Sequence, residues 1–210
     1  MGTPAAIFDI DHTLVRGGTE RLFFRYLLRR RRITVGHALA FLLRLAGSPR
    51  ERFADKSYLA GLAAADTERL GRRCFEEIIV PRLRPRGLTR VRFHQSQGHK
   101  IVLLSGTLAL VARPLKEYLG AAWLIATEIT ASGPILTGEI KGLHPRGENK
   151  RVLLEELAGR QGLDLSGSYA YGDHEADIPL LSSVGRPVAV NPRRPLAREA
   201  RRRGWPIEYF

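Results

Sequence analysis

Short unbroken apolar runs recur along the chain, and stretches of helical character separate them. Ala5 to Asp9 is one such run, closing on a carboxylate; Lys100 to Ser105 repeats the form with Ile101, Val102, Leu103 and Leu104. Runs of this kind predict parallel strands buried on both faces. Trp123 to Thr127, Ser168 to Gly172 and Pro187 to Val190 add three more apolar or aromatic strands. Between them Leu108 to Leu119, Glu148 to Arg160 and Pro192 to Arg203 are predicted helices, with Gly120, Gly162 and Gly204 where a helix would stop. Glu128 to Thr130 and Ile135 to Ile140, separated by Ala131-Ser132-Gly133-Pro134, predict a β-hairpin. The alternation gives an α/β fold with a parallel sheet. Residues 17 to about 86 break the pattern. They show no strand signal, but Leu22, Phe23, Tyr26 and Leu27, then Leu39, Leu42 and Leu43, fall at helical spacing. Pro49 and Asp66 open further helices in this reading, and Pro81 with Pro85 closes the segment before a helix leads to the second strand. The segment is a helical insertion.

A length of 210 residues allows one sizeable core and a small insertion. Hydrophobic residues at 44% and charged residues at 26% are the balance of a soluble globular chain. Cys74 is the only cysteine, which excludes an internal disulfide and points to a reducing, cytoplasmic setting. The N-terminal run passes at once into acids, unlike a signal peptide. The longest greasy stretch, His37 to Ala46, contains Arg44 and is too short to span a bilayer. The net charge of +13 changes the picture more, because most of the excess lies in residues 16–86. A basic region of this kind fits an anionic substrate, an anionic membrane surface or a solvated face. Arg residues interleave with Leu, Phe and Ala, and only Arg29 to Arg32 form a dense cluster, which argues against a nucleic-acid reader.

Candidate chemistry sits at the strand ends. Phe8-Asp9-Ile10-Asp11-His12-Thr13 puts two carboxylates two residues apart where β-strand gives way to loop, the place where open α/β sheets bind ligands. Residues i and i+2 leave a strand on one side, so both address one substrate. One carboxylate then attacks phosphorus while the other protonates the leaving oxygen and later activates water. Leu103-Leu104-Ser105-Gly106-Thr107 ends the second strand with a hydroxyl and a glycine able to hold a phosphate oxygen. Gly172-Asp173-His174-Glu175-Ala176-Asp177 adds carboxylates after a later strand, a donor set suited to a hard cation such as Mg²⁺. Lys150, near the start of a helix after Gly147, supplies a cation between nucleophile and phosphoryl group.

These four segments, in this order, resemble the four motifs of the haloacid dehalogenase superfamily, and their spacing over residues 5 to 177 resembles its phosphoserine-phosphatase-like branch. The resemblance implies a Rossmann-like core from residues 1–15 and 87–210, with an α-helical cap over residues 16–86. It implies that Asp9 is the nucleophile, Asp11 the general acid and base, Ser105 and Gly106 phosphate ligands, and Lys150 the group holding nucleophile and phosphate together. Mg²⁺ would be bound by Asp173 alongside the Asp9 carboxylate and the Asp11 backbone carbonyl, with Asp177 as a further ligand or the residue that orients Asp173. Asp11 favours phosphatase over dehalogenase chemistry. Phosphoserine phosphatases carry a serine-binding Glu seven residues after the second Asp, where this chain has Gly18, with Glu20 displaced; their Asn before the last Asp is Ala176. The expected substrate is a small phosphorylated metabolite. Lys56, Arg50 and Arg52 are the candidate contacts from the cap, and its basic surface is a candidate for an anionic membrane. Two rival readings stand beside this one: a phosphotransferase that keeps the site but uses an alcohol acceptor, and a non-enzymatic protein whose basic helices grip nucleic acid or membrane while the acids are structural.

Overall fold

The computed structural model describes residues 2–33 and 56–210. Strand β1 (Thr3–Phe8) is buried from Ala5 onward and lies between two parallel partners, β2 (Lys100–Leu108) and β5 (Leu163–Gly172). Outward from β2 come β3 (Trp123–Ser132) and β4 (Ile135–Lys141), the latter antiparallel. Outward from β5 come β6 (Arg186–Val190) and β7 (Ile207–Glu208), both parallel. The sheet order β4-β3-β2-β1-β5-β6-β7 means the chain builds one half, crosses over, and builds the other. The crossover leaves a crevice beyond the carboxyl end of β1, the position at which open α/β sheets place ligands.

Alternation along β1 divides the core. Ala6 and Phe8 face α1 (Thr19–Arg29), α2 (Ala64–Cys74), α3 (Pro85–Ser96) and α4 (Ala109–Leu119), whose Phe23, Leu70, Val91 and Leu115 complete that layer. Ala5 and Ile7 face α5 (Glu148–Gln161), α6 (Ile178–Ser182) and α7 (Arg194–Arg203) through Leu154, Leu180 and Leu196. Gly120, Gly162 and Gly204 close α4, α5 and α7 in left-handed conformation, as their sequence positions predicted.

Several boundaries differ from the sequence expectation. Strand β2 runs to Leu108, and the helix after it starts at Ala109, because the pairing with β3 skips: Leu104 faces Ile125, but Leu108 faces Thr127. Residues 105–107 thus bulge out of the ladder. Strand β5 begins at Leu163; a second irregularity opposite Pro4 to Ala6 is closed by Ser168, whose Oγ accepts from the Ala5 N–H at 2.8 Å. Strand β3 continues unbroken into the hairpin, leaving only Gly133 and Pro134 in the turn.

Between β1 and β2 the described residues hold helices and turns, as expected, with one addition. Residues 61–64 lie along the hairpin edge, where Leu136 accepts from the Gly61 N–H at 3.0 Å and Leu62 from the Leu136 N–H at 2.9 Å. Gly138 (φ 82°) makes room for the segment just before them: a Cβ there would lie 3.0 Å from the Lys56 carbonyl oxygen. The expected helices around Leu39 to Leu43 and Pro49, and the contacts Arg50 and Arg52, lie outside the described residues. No helix among the described residues is long and apolar enough to cross a membrane.

Candidate active site

The pairing register builds the site. Phe8 lies opposite Leu103 on one side and Tyr171 on the other, so Asp9 comes level with Leu104 and Gly172, and Ser105 and Asp173 follow one residue on. Phe8 stacks on Tyr171 with ring centroids 4.5 Å apart, which keys the two strands beneath the carboxylates. Lys150, on the first turn of α5, reaches across to Asp9 Oδ1 at 2.6 Å and to Asp177 Oδ1 at 2.6 Å. The other Asp177 oxygen accepts from the N–H groups of Asp173 and His174, at 3.2 and 3.1 Å. All four charged side chains are buried. Carboxylate oxygens of Asp9, Asp173 and Asp177 lie within 4.8 Å of one another.

Three carboxylates and one ammonium in a desolvated space leave uncompensated negative charge. Burial raises the Asp9 pKa well above the usual carboxylate range; Lys150 pulls it back, while Asp177, Asp11 and Asp173 push it up again. Asp173 is pushed up to about 7, first by burial and then by Asp177. Burial alone would lower the Lys150 pKa, but Asp177 and Asp9 outweigh it and hold the ammonium charged. Arg193 adds a more distant cation, its Nε 3.7 Å from Asp173. The donor set, hard oxygens carrying surplus negative charge, fits a divalent cation.

Asp11 is placed differently from the sequence argument. Strand β1 ends at Phe8 and the chain turns at Ile10, whose carbonyl accepts from both Leu14 and Val15, so the i, i+2 rule no longer fixes its direction. Instead Thr19 holds it: the Thr19 N–H and hydroxyl both donate to Asp11 Oδ1, at 2.8 and 2.6 Å. That spends the Thr19 proton, so the Thr107 hydroxyl donates to Thr19 Oγ1 in turn. Burial raises the Asp11 pKa, while Thr19 partly offsets the rise.

Lys56 is buried, and its Nζ donates to Glu20 Oε2 at 2.8 Å; the Tyr58 hydroxyl donates to the other Glu20 oxygen at 3.1 Å. Glu20 is near enough to Asp11 for their charges to repel. The displaced acid of the sequence reading therefore borders Asp11. Thr19, Thr107 and Tyr58 carried no sequence signal, being lone hydroxyls whose partners are up to 88 residues away. His144, in the loop leading to the Lys150 helix, likewise carries no local sequence signal, since its partner Thr127 is 17 residues away.

The chain matches the family model of haloacid dehalogenase-like hydrolases over residues 6–182. A phosphoserine phosphatase of Mycobacterium tuberculosis is 32% identical over 219 residues, spanning 99% of this chain and 71% of its own. A histidinol-phosphatase of Neisseria meningitidis serogroup C is 30% identical over 217 residues, spanning 98% of each. The crystal structure of a protein of unknown function from Bordetella pertussis Tohama I superposes with a TM-score of 0.89 at 28% identity, covering 99% of both chains. The chain belongs to the haloacid dehalogenase-like hydrolases and is a phosphatase of that family.

Proposed function

We propose that the chain is a Mg²⁺-dependent phosphomonoesterase working through an aspartyl-phosphate on Asp9. The observation that carries this reading is the Lys150 bridge between Asp9 and Asp177 at the carboxyl ends of the central strands. An Asp9 oxygen forms a bond to phosphorus as the ester P–O bond breaks, and Asp11 gives its proton to the departing oxygen. The raised pKa of Asp11 supports its holding a proton for that step. Asp11 then takes a proton from water, which attacks phosphorus, frees inorganic phosphate and returns Asp9. Ser105 and Gly106 receive the phosphoryl oxygens, and Lys150 offsets the charge between nucleophile and phosphoryl group. Asp9, Asp173, Asp177 and the Asp11 carbonyl are the proposed ligands of Mg²⁺, which when bound neutralises charge on the phosphoryl oxygens.

Residues 16–86 are proposed as a helical cap on a core formed by residues 1–15 and 87–210, and the position of Glu20, Lys56 and Tyr58 supports this. The proposed substrate is a small phosphorylated metabolite, as the names of the relatives suggest, with Lys56 among its contacts. Phosphate release from an aryl phosphate tests the reading. Activity is expected with Mg²⁺, and loss of it in excess chelator and in Asp9→Asn. Undiminished turnover in chelator refutes the metal requirement, and turnover by Asp9→Asn refutes the nucleophile.

A further inference from the structure

The bulge at residues 105–107 removes Gly106 from the β2–β3 ladder, so its carbonyl has no partner there. The Thr127 hydroxyl fills that place, donating to the Gly106 oxygen at 2.7 Å. A threonine hydroxyl has one proton, and this one is spent. His144 Nδ1, 2.9 Å from Thr127 Oγ1, must therefore carry the hydrogen of that second bond. His144 is neutral at ordinary pH, its pKa lowered to about 4 first by burial and then by Lys56, Arg146 and Lys150. A neutral ring with its proton on Nδ1 is one defined tautomer.

The loop holding His144 is fixed in turn. The His144 carbonyl accepts from the Arg146 N–H at 2.7 Å and from Asn149 Nδ2 at 3.0 Å, and Asn149 is on α5 beside Lys150. His144 also lies close against Gly106: a Cβ on that glycine would sit 3.2 Å from His144 Cε1 and 3.3 Å from the Pro145 oxygen. With its carbonyl turned to β3, the Gly106–Thr107 peptide directs its N–H the opposite way. The Thr107 N–H faces Ser105 Oγ at 3.5 Å.

We propose that Thr127 and His144 are positioning residues, a directional chain His144 Nδ1–H to Thr127 O–H to Gly106 C=O that aims the Thr107 amide at the phosphoryl group. This rests on the reading of Ser105 and Gly106 as the phosphate seat. Without the chain the peptide is free to rotate and the seat loses a preorganised donor.

The test uses the whole protein with Mg²⁺, an aryl phosphate as substrate and inorganic phosphate as competing ligand. Thr127→Val and His144→Leu should each raise the phosphate inhibition constant and KM by about tenfold, the scale of one lost hydrogen bond in a buried site. Thr127→Ser and His144→Asn, which keep the hydroxyl and an N–H in the Nδ1 position, should return both to within about twofold of the wild type. A role in folding alone would not produce that pattern. Nitrogen-15 spectra of the histidine rings give a readout independent of turnover, with His144 expected as the Nδ1–H tautomer. An Nε2–H tautomer, or unchanged phosphate inhibition in both disruptive variants, overturns the chain while leaving the phosphatase site intact. A wild type that neither binds phosphate nor releases it from the aryl ester overturns the phosphate seat, and this inference with it.

Discussion

Asp9 is a residue the fold holds against its own preference. Its burial beside Asp177, Asp11 and Asp173 opposes its charge, and only Lys150 among its strongest neighbours favours it. Asp9→Asn should therefore melt at the same or a higher temperature than the wild type in chelator, a stability gained where function is lost; a clear drop in the thermal midpoint would contradict this. His94 makes the opposite case, packed edge-on against Phe8 at the same carboxyl end of β1. It is fully buried, with Nε2 2.7 Å from the Tyr171 hydroxyl and Nδ1 2.8 Å from His99 Nδ1. Burial, then His99 and Arg90, lowers its pKa to about 4. A folded pKa below the unfolded value of 6.5 means the unfolded chain binds the proton first, so this stability is complete above about pH 6.5 and is lost as pH falls towards 4. Between pH 7 and 5 the loss is about 2 kcal/mol. Urea unfolding at the two pH values should show a smaller difference for His94→Phe than for the wild type. The carboxylates were legible in the sequence because strand-end acids are local patterns. His94 was not, since nothing in Phe93-His94-Gln95 announces a tyrosine 77 residues away.

At the scale of elements, helix α2 sits directly on helix α4. A Cβ on Gly71 would lie 2.5 Å from the Leu110 oxygen and 2.9 Å from its Cδ1. Arg72 reaches Glu117 at 2.8 Å, and Arg113 of α4 pairs with Glu68 of α2 and with Glu128 of β3. These exposed pairs add little, so close packing at Gly71 dominates the contact. Gly71→Ala should destabilise the protein by about 1–3 kcal/mol despite the better helix propensity of alanine. Gly159 of α5 has open space where its Cβ would go. Gly159→Ala is therefore the control, expected to raise stability by about 0.5–1 kcal/mol. Thermal unfolding of both separates packing from propensity, and equal effects would refute the close packing at Gly71. The helices themselves were readable from Leu22 to Leu27 and from the glycine stops. The β2 bulge and the strip at residues 61–64 were not, because each is set by partners on β3 and β4 that no local periodicity encodes.

Over the whole molecule, the net charge of +13 favours the approach of an anionic phosphate ester. Individual arginines are paired, as Arg30 within the Arg29 to Arg32 run is with Glu77 at 2.7 Å. The net surplus should still lower KM for a dianionic aryl phosphate at low salt, with KM rising as ionic strength goes from about 0.01 to 0.5 M and kcat nearly constant. A flat KM would mean that the basic surface plays no part in substrate capture. The fold class was legible as a whole because its strands are unbroken apolar runs; the strand order was not, since pairing across the sheet leaves no mark in one sequence. The Lys150 bridge carries a consequence in time. Its ammonium meets Asp9 across 141 residues of chain, and the two can approach only after β1, β2 and β5 have aligned. Contacts of such separation form late, because their loop closure precedes any reward. On refolding, phosphate release should therefore return after the far-ultraviolet helical signal, and simultaneous recovery of the two would contradict this. A ribosome still making the protein carries an inert chain until the strand after Lys150 has emerged and docked.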